Sequence, residues 1–310
     1  MAANRIARLE APTFQRRPTA VVQALADYWA LTKPDVNLLI AIVTSAGFYL
    51  GYPVQYGGLP VGLLFHTVVG TMLVSGGTGT LNQFVERRFD AQMRRTSRRP
   101  IASGKIEPAR ALRFGISLLV VGTAYLASVN LLASLLAALT TLTYLAVYTP
   151  LKRKTPLCTL VGAFPGAVPP LIGWAAAQGT LSIESWMLYS VVFLWQFPHF
   201  MAIAWMYRED YERAGYFVLP RDDRKTSFMV WQSILPSLVL VGLSGVATFK
   251  GHEGRIYFGG TFLCSVWMLY YASHLALVKT NTAARRLLVA SVVYLPVVFL
   301  FMILDRLCAK

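Results

Sequence analysis

Apolar runs long enough to cross a bilayer, about 17 to 25 residues each, recur along the chain with only short polar segments between them. They lie at 36–52, 60–84, 110–129, 131–149, 158–178, 185–207, 228–248, 256–278 and 285–305. The pattern predicts an all-α fold, a polytopic membrane bundle of nine transmembrane helices around a central chamber. Pro34 opens the first span in the position that suits a helix start. The fifth is interrupted by Pro165, Pro169 and Pro170 and by Gly162, Gly166 and Gly173. Broken helices at membrane depth survive where they pack on protein or line a cavity, so this span is expected to form a wall of the chamber.

Composition agrees. Of 310 residues, 55% are hydrophobic and 14% charged, with a mean hydropathy of +0.52, which excludes an ordinary soluble domain. The net charge of +15 could suggest a nucleic-acid partner, but its distribution argues otherwise. With the N-terminus cytoplasmic, all of the 29 lysines and arginines except Lys250, Arg255, Arg306 and Lys310 fall on the inner side. Residues 1–32, basic and carrying Pro12 and Pro18, read as a cytoplasmic tail with no signal-peptide core. Residues 33–310 read as one intramembrane domain in a bacterial inner membrane. Cys158, Cys264 and Cys308 are isolated, so neither a disulfide framework nor a zinc site is indicated.

One polar stretch stands out against this background. Asn82, Glu86 and Asp90 stand at four-residue intervals across the end of the second span, which on a helix sets their oxygens along one stripe. Arg87 and Arg88 lie among them, and Arg94, Arg95, Arg98, Arg99 and Lys105 follow. A hard cation such as Mg²⁺ takes one or two carboxylates plus substrate phosphates, and arginines clamp phosphate oxygens. The stretch therefore points to a metal-bound diphosphate at one membrane edge. Read alone, it also fits a positive loop whose acids merely pair with neighbouring arginines.

Other polar groups gather at the same edge. Lys33, Asp35 and Asn37 flank the start of span 1, as anchors, caps or substrate contacts, and Lys152, Arg153 and Lys154 follow span 4. His199 lies within span 6, where an ionisable residue is a functional candidate. Tyr207 and Tyr211 stand one helical turn apart beside Asp210 at the end of that span. This second constellation hints at an internal duplication in which spans 2 and 6 face each other.

Taken together, these motifs resemble the UbiA-type intramembrane prenyltransferases, and within them the branch that prenylates haem. The likeness rests on Asn82-x₃-Glu86-x₃-Asp90, on Met93 to Pro100, on Tyr148 to Thr155, on Pro198-His199-Phe200, and on Asp210 to Gly215 with Leu219-Pro220. The aromatic-acid branch carries a second aspartate-rich motif where this chain has Tyr207 and Tyr211. The resemblance implies transfer of the farnesyl group of farnesyl diphosphate to the 2-vinyl group of haem b with addition of water, and Mg²⁺ as cofactor. It implies Asn82, Glu86, Asp90, Tyr207, Asp210 and Tyr211 as catalytic residues, with Glu86 and Asp90 on the metal. Arg94, Arg98, Lys152 and Arg153 would hold diphosphate or haem propionates, and His199 would meet haem. The expected partners are these two substrates and the lipid bilayer, with no nucleic acid, and there is room for a haem A synthase or terminal-oxidase assembly partner. Two readings compete: prenylation of a quinone precursor or chlorophyll-type ring, and membrane transport of haem or lipid.

Overall fold

The computed structural model describes residues 19–53, 57–220, 225–246 and 254–308. The expectations for the tail before Thr19, and for Lys250 and Lys310, lie outside them. Among the described residues the chain is helical with no strand, and nine helices are long and apolar enough to cross a membrane.

The order is α1 (Ala20–Leu31), α2 (Pro34–Gly51), α3 (Val61–Asp90), α4 (Pro108–Val129), α5 (Leu131–Leu142) and, after a π-helical turn at Thr143–Tyr148, α6 (Thr149–Leu151). It continues with α7 (Cys158–Gly166), α8 (Pro169–Gln178), α9 (Ile183–Met206), α10 (Arg208–Arg213) and α11 (Lys225–Met229). A π-helical turn at Val230–Ile234 leads to α12 (Leu235–Val246), α13 (Arg255–Val278) and α14 (Asn281–Cys308). The fourth, fifth and seventh spans are thus each built from more than one helical piece.

α1 occupies the described part of the expected tail. Its twelve residues are too short to span a bilayer, and Val21, Val22, Leu25 and Trp29 are exposed along it. The side chain of Gln83 donates to the carbonyls of Ala30 and Leu31 and ties the end of α1 to α3. Leu31 is itself buried with Ile101, Ile106 and Ala111.

The fifth span breaks between α7 and α8, as the prolines require. It is the most buried of the nine, and every residue from Pro169 to Ala176 is buried. α8 packs on α2 at backbone distance: a Cβ built on Gly173 would lie 2.0 Å from the Thr44 carbonyl oxygen, and one on Gly47 2.2 Å from that of Pro170. Small residues permit this approach, which supplies the dispersion contacts that bind helices in lipid. Trp195 of α9 donates to the Ser291 carbonyl at 2.6 Å and joins α9 to α14. The guanidinium of Arg306 donates to the carbonyls of Tyr49 and Tyr52, so the last span is clasped to the first.

α3 continues without a break through Asp90 and carries the acid column beyond the apolar run. It packs chiefly on α4, with α2, α8 and α5 as further neighbours, whereas α9 packs on α14, α12 and α7. Spans 2 and 6 therefore do not share an extended contact. The segments that follow them meet instead.

Candidate active site

Asn82, Glu86 and Asp90 are 1%, 5% and 1% exposed. Two buried carboxylates on one face would be prohibitively costly without partners, and each has a cation. Lys152 Nζ lies 2.8 Å from Glu86 Oε1. Arg99 Nη1 lies 2.8 Å from both oxygens of Asp90. Asn82 accepts from Lys33 Nζ at 2.7 Å and donates to Thr149 Oγ1 at 3.2 Å. The column of oxygens is thus faced by a column of cations brought in by three separate segments.

Each segment has a local reason to be there. Lys33 precedes Pro34, which disfavours the right-handed helical region for it. It adopts φ +54° and ψ +65°, a left-handed conformation costing about 1–2 kcal/mol in a residue with a side chain. Strain of this kind marks functional positions when the surroundings enforce it. Desolvation, then repulsion from Arg99 and Lys152, lowers the Lys33 ammonium from its ordinary range to about 7.

Lys152 is aimed by the π-turn ahead of it. The Thr149 N–H reaches back to the Tyr144 carbonyl, five residues away, and the extra residue sets Tyr144 and Tyr148 side by side with ring centroids 5.0 Å apart. Lys152 Nζ sits 4.6 Å from the centre of the Tyr148 ring. Single π-turns inside helices are frequent at functional sites.

Arg99 comes from the looped segment 91–106. Thr96 Oγ1 donates to the Asp90 carbonyl at 2.9 Å, and Met93 is buried with Met201, Ala204, Ala214 and Tyr216. The segment is therefore folded back over the column. Asp210 fastens it on the far side: its carboxylate accepts from the Arg95 backbone N–H at 3.2 Å and pairs with Arg213 at 3.0 Å. The Arg95 guanidinium donates to the Tyr211 hydroxyl at 3.1 Å and lies 4.9 Å from the centre of the Tyr207 ring. The Tyr216 hydroxyl is buried near Glu86 and makes no hydrogen bond of ordinary geometry among the described residues. Burial, then the charge of Glu86, holds it in the protonated form.

The structure thus gathers Asn82, Glu86, Asp90 and Lys152, and links them through Arg95 to Tyr207, Asp210 and Tyr211. Arg153 stacks on Phe89, its guanidinium 4.4 Å from the ring centre. Arg94 and Arg98 are exposed and form no ion pair with a described residue. They continue the four-residue step of the column, but α3 ends at Asp90, so Arg99 faces Asp90 and Arg95 reaches Tyr211 instead. His199 lies about two turns deeper along α9, roughly 12 Å from Tyr207. Its Nδ1 is 2.9 Å from Ser291 Oγ and its ring stacks on Trp195 at 4.8 Å. Thr149 and Tyr216 were assigned no role from the sequence, and Arg95 and Arg99 entered there only as members of the basic run; Lys33 was weighed there as an anchor, a cap or a substrate contact.

Three half-buried cations with hydroxyl and amide donors can hold a diphosphate. The donor set also suits a hard cation: two carboxylates, the Asn82 amide and a buried phenol supply oxygens. Among the described residues no trio of histidine, cysteine or acidic side chains forms a metal cage, so phosphate oxygens would complete the shell.

A cation-lined oxygen column thus lies at one end of a bundle of apolar helices, and the chain belongs to the UbiA prenyltransferase family, whose model matches residues 38–302. Among its relatives is a protoheme IX farnesyltransferase of Solibacter usitatus, 44% identical over 289 residues, covering 91% of this chain and 99% of that one. Another protoheme IX farnesyltransferase, of Koribacter versatilis, is 40% identical over 92% of this chain and 95% of that one. Among solved structures, a digeranylgeranylglyceryl phosphate synthase superposes with a TM-score of 0.74 at 16% identity, covering 91% of this chain and 98% of that one. A UbiA homologue of Archaeoglobus fulgidus, bound to GPP and Mg²⁺, gives a TM-score of 0.60 at 17% identity over 89% and 99% of the two chains. The chain is accordingly a multi-pass membrane protein.

Proposed function

We propose that this chain transfers the farnesyl group of farnesyl diphosphate to the 2-vinyl group of haem b, with addition of water, and releases diphosphate. The single observation that carries the diphosphate half is the buried acid column matched cation for carboxylate by Lys152 and Arg99, with Lys33 beside them on Asn82. The acceptor half rests on the protoheme IX farnesyltransferases that share up to 44% of its residues over nearly the whole chain.

Glu86 and Asp90, with Asn82 next to them, would hold Mg²⁺, the ion bound together with GPP in the Archaeoglobus fulgidus homologue. When bound, the metal supplies positive charge to the departing diphosphate. The protein's own groups do the rest. Lys152, Arg99 and Lys33 are free to leave their present partners for phosphate oxygens, and preorganised charge aimed at the leaving group is the main lever on such a barrier. Arg153, Arg94 and Arg98 stand further out for diphosphate or propionate oxygens. The folded-back segment 91–106 and the ring of Tyr207, Tyr211 and Tyr216 keep water from the allylic centre. His199, with Nδ1 held by Ser291, presents its other ring nitrogen to haem, the arrangement that orients a ligating imidazole.

The cations cluster on the acid-column side, which supports a cytoplasmic active site in a bacterial inner membrane. The reading is tested by incubating membranes containing the protein with haem b, farnesyl diphosphate and Mg²⁺, with and without EDTA, and reading haems by mass spectrometry. A haem heavier by one farnesyl and one water, lost with EDTA, is the expected product. Farnesylation of an added quinone precursor in place of haem would overturn the acceptor assignment.

A further inference from the structure

Away from the acid column, a cleft of about 280 Å³ opens on the outside of the bundle between α13 and α14. Its walls grade along the membrane normal. Thr282, Arg285 and Arg286 stand in the first turns of α14, and Val289 follows about one turn deeper. Trp267 and Tyr271, one turn apart on α13, form the opposite wall with ring centroids 5.7 Å apart. One end is cationic and the other aromatic and aliphatic.

Both arginines are exposed and neither makes an ion pair with a described residue. The alternation of the spans puts the start of α14 on the same membrane face as Asp90. A direct link confirms the neighbourhood, since Arg208 at the start of α10 donates to Asn281 Oδ1 at 2.9 Å. Two uncompensated guanidiniums at the rim of an apolar groove complement an amphiphile with a phosphate head. Basic pockets between transmembrane helices are sites of this kind, and arginine's planar fork suits phosphate. The cleft is too small for a whole phospholipid and fits a headgroup with the upper part of one chain.

We propose that this cleft binds an anionic phospholipid of the leaflet facing the acid column, its phosphate on Arg285 and Arg286 and one acyl chain against Trp267, Tyr271 and Val289. The site is separate from the transfer chemistry and stands whatever the prenyl acceptor is.

Native mass spectrometry of the detergent-purified full chain, titrated with phosphatidylglycerol or phosphatidylcholine, tests it. Wild type retains one phosphatidylglycerol in preference to phosphatidylcholine. At about a factor of five per arginine, the double variant R285Q/R286Q loses that preference roughly twenty-five-fold. R110Q/R113Q removes the same charge from the start of α4 on the same membrane face and keeps the preference. Val289→Trp fills the apolar end, leaves both arginines, and weakens retention of phosphatidylglycerol. Equal retention of the two lipids by wild type would overturn the proposal. So would equal loss in R110Q/R113Q, which would show only bulk attraction of anionic lipid, or displacement of the lipid by added haem b, which would give the cleft to the porphyrin.

Discussion

Lys152→Met separates what the acid column needs for folding from what it needs for turnover. In wild type Lys152 Nζ is 2.8 Å from Glu86 Oε1, and the two side chains are only 14% and 7% exposed. An exposed ion pair is worth about 0–1 kcal/mol. Removing one partner of a buried pair costs about 3–5 kcal/mol, because the other charge stays uncompensated. The burial puts this pair in the second class, and the contact of Lys152 with the Tyr148 ring adds to the loss. The variant is therefore expected to lose about 3–5 kcal/mol of stability. Glu86→Gln in the same chain removes the stranded charge, so the double variant E86Q/K152M should recover to within about 1–2 kcal/mol of wild type. The assay is equilibrium unfolding in mixed detergent micelles followed by circular dichroism, run as a double-mutant cycle. Coupling of at least about 4 kcal/mol is expected, since each single change strands one buried charge at about 3–5 kcal/mol while the double change leaves none. Farnesyl transfer should not recover with stability. Loss of a preorganised charge-stabilising group costs about a hundredfold or more in rate, so all three variants stay slow. A double variant destabilised by the plain sum of the single changes would refute the pairing as the reason these charges tolerate burial.

Four further outcomes follow from the geometry. Lys33, lowered to about 7, is charged below that pH and neutral above it. The kcat/KM for farnesyl diphosphate should therefore fall as pH rises through about 7, and Lys33→Met should be lower at acid pH and lack that limb; an unchanged limb would assign it to another group. Asp210→Asn weakens the tie to the Arg95 N–H and to Arg213, so trypsin should cut within 94–99 several times faster and KM for the diphosphate should rise, whereas wild-type protection of that segment would show that it is held otherwise. Gly173→Ala pushes a methyl group into the Thr44 carbonyl, with a built Cβ at 2.0 Å, and should cost at least about 1–3 kcal/mol of stability by thermal unfolding. His199→Ala should abolish the change in the haem absorption band that follows binding to wild type; an unaltered band would leave the His199–Ser291 bond as packing only.

The nine spans were legible because a bilayer demands about twenty apolar residues in each crossing whatever the neighbours are. The breaks in span 5 and the alignment of Asn82, Glu86 and Asp90 were legible for the same kind of reason, since proline and the 3.6-residue turn act locally. Harder to see was α1, whose twelve residues carry too little apolar length to register as a membrane element and are fixed by Gln83 from another helix.

Which cation meets which acid was a different matter. Arg94 and Arg98 lie on the extended four-residue step, yet Arg99 holds Asp90 and Arg95 reaches Tyr211, because the helix stops and the loop turns. Lys33 and Asn82 are 49 residues apart, and Lys152 and Glu86 are 66 apart. Asp210 meets the Arg95 backbone across 115 residues. No local rule encodes such pairings. The sequence by itself determined the helices, the family and the oxygen column, all of which depend on spacing along one segment. Only the tertiary structure decided the cations that neutralise the column, the π-turn that aims Lys152 and the lock on segment 91–106, because those depend on which helix ends packing brings together.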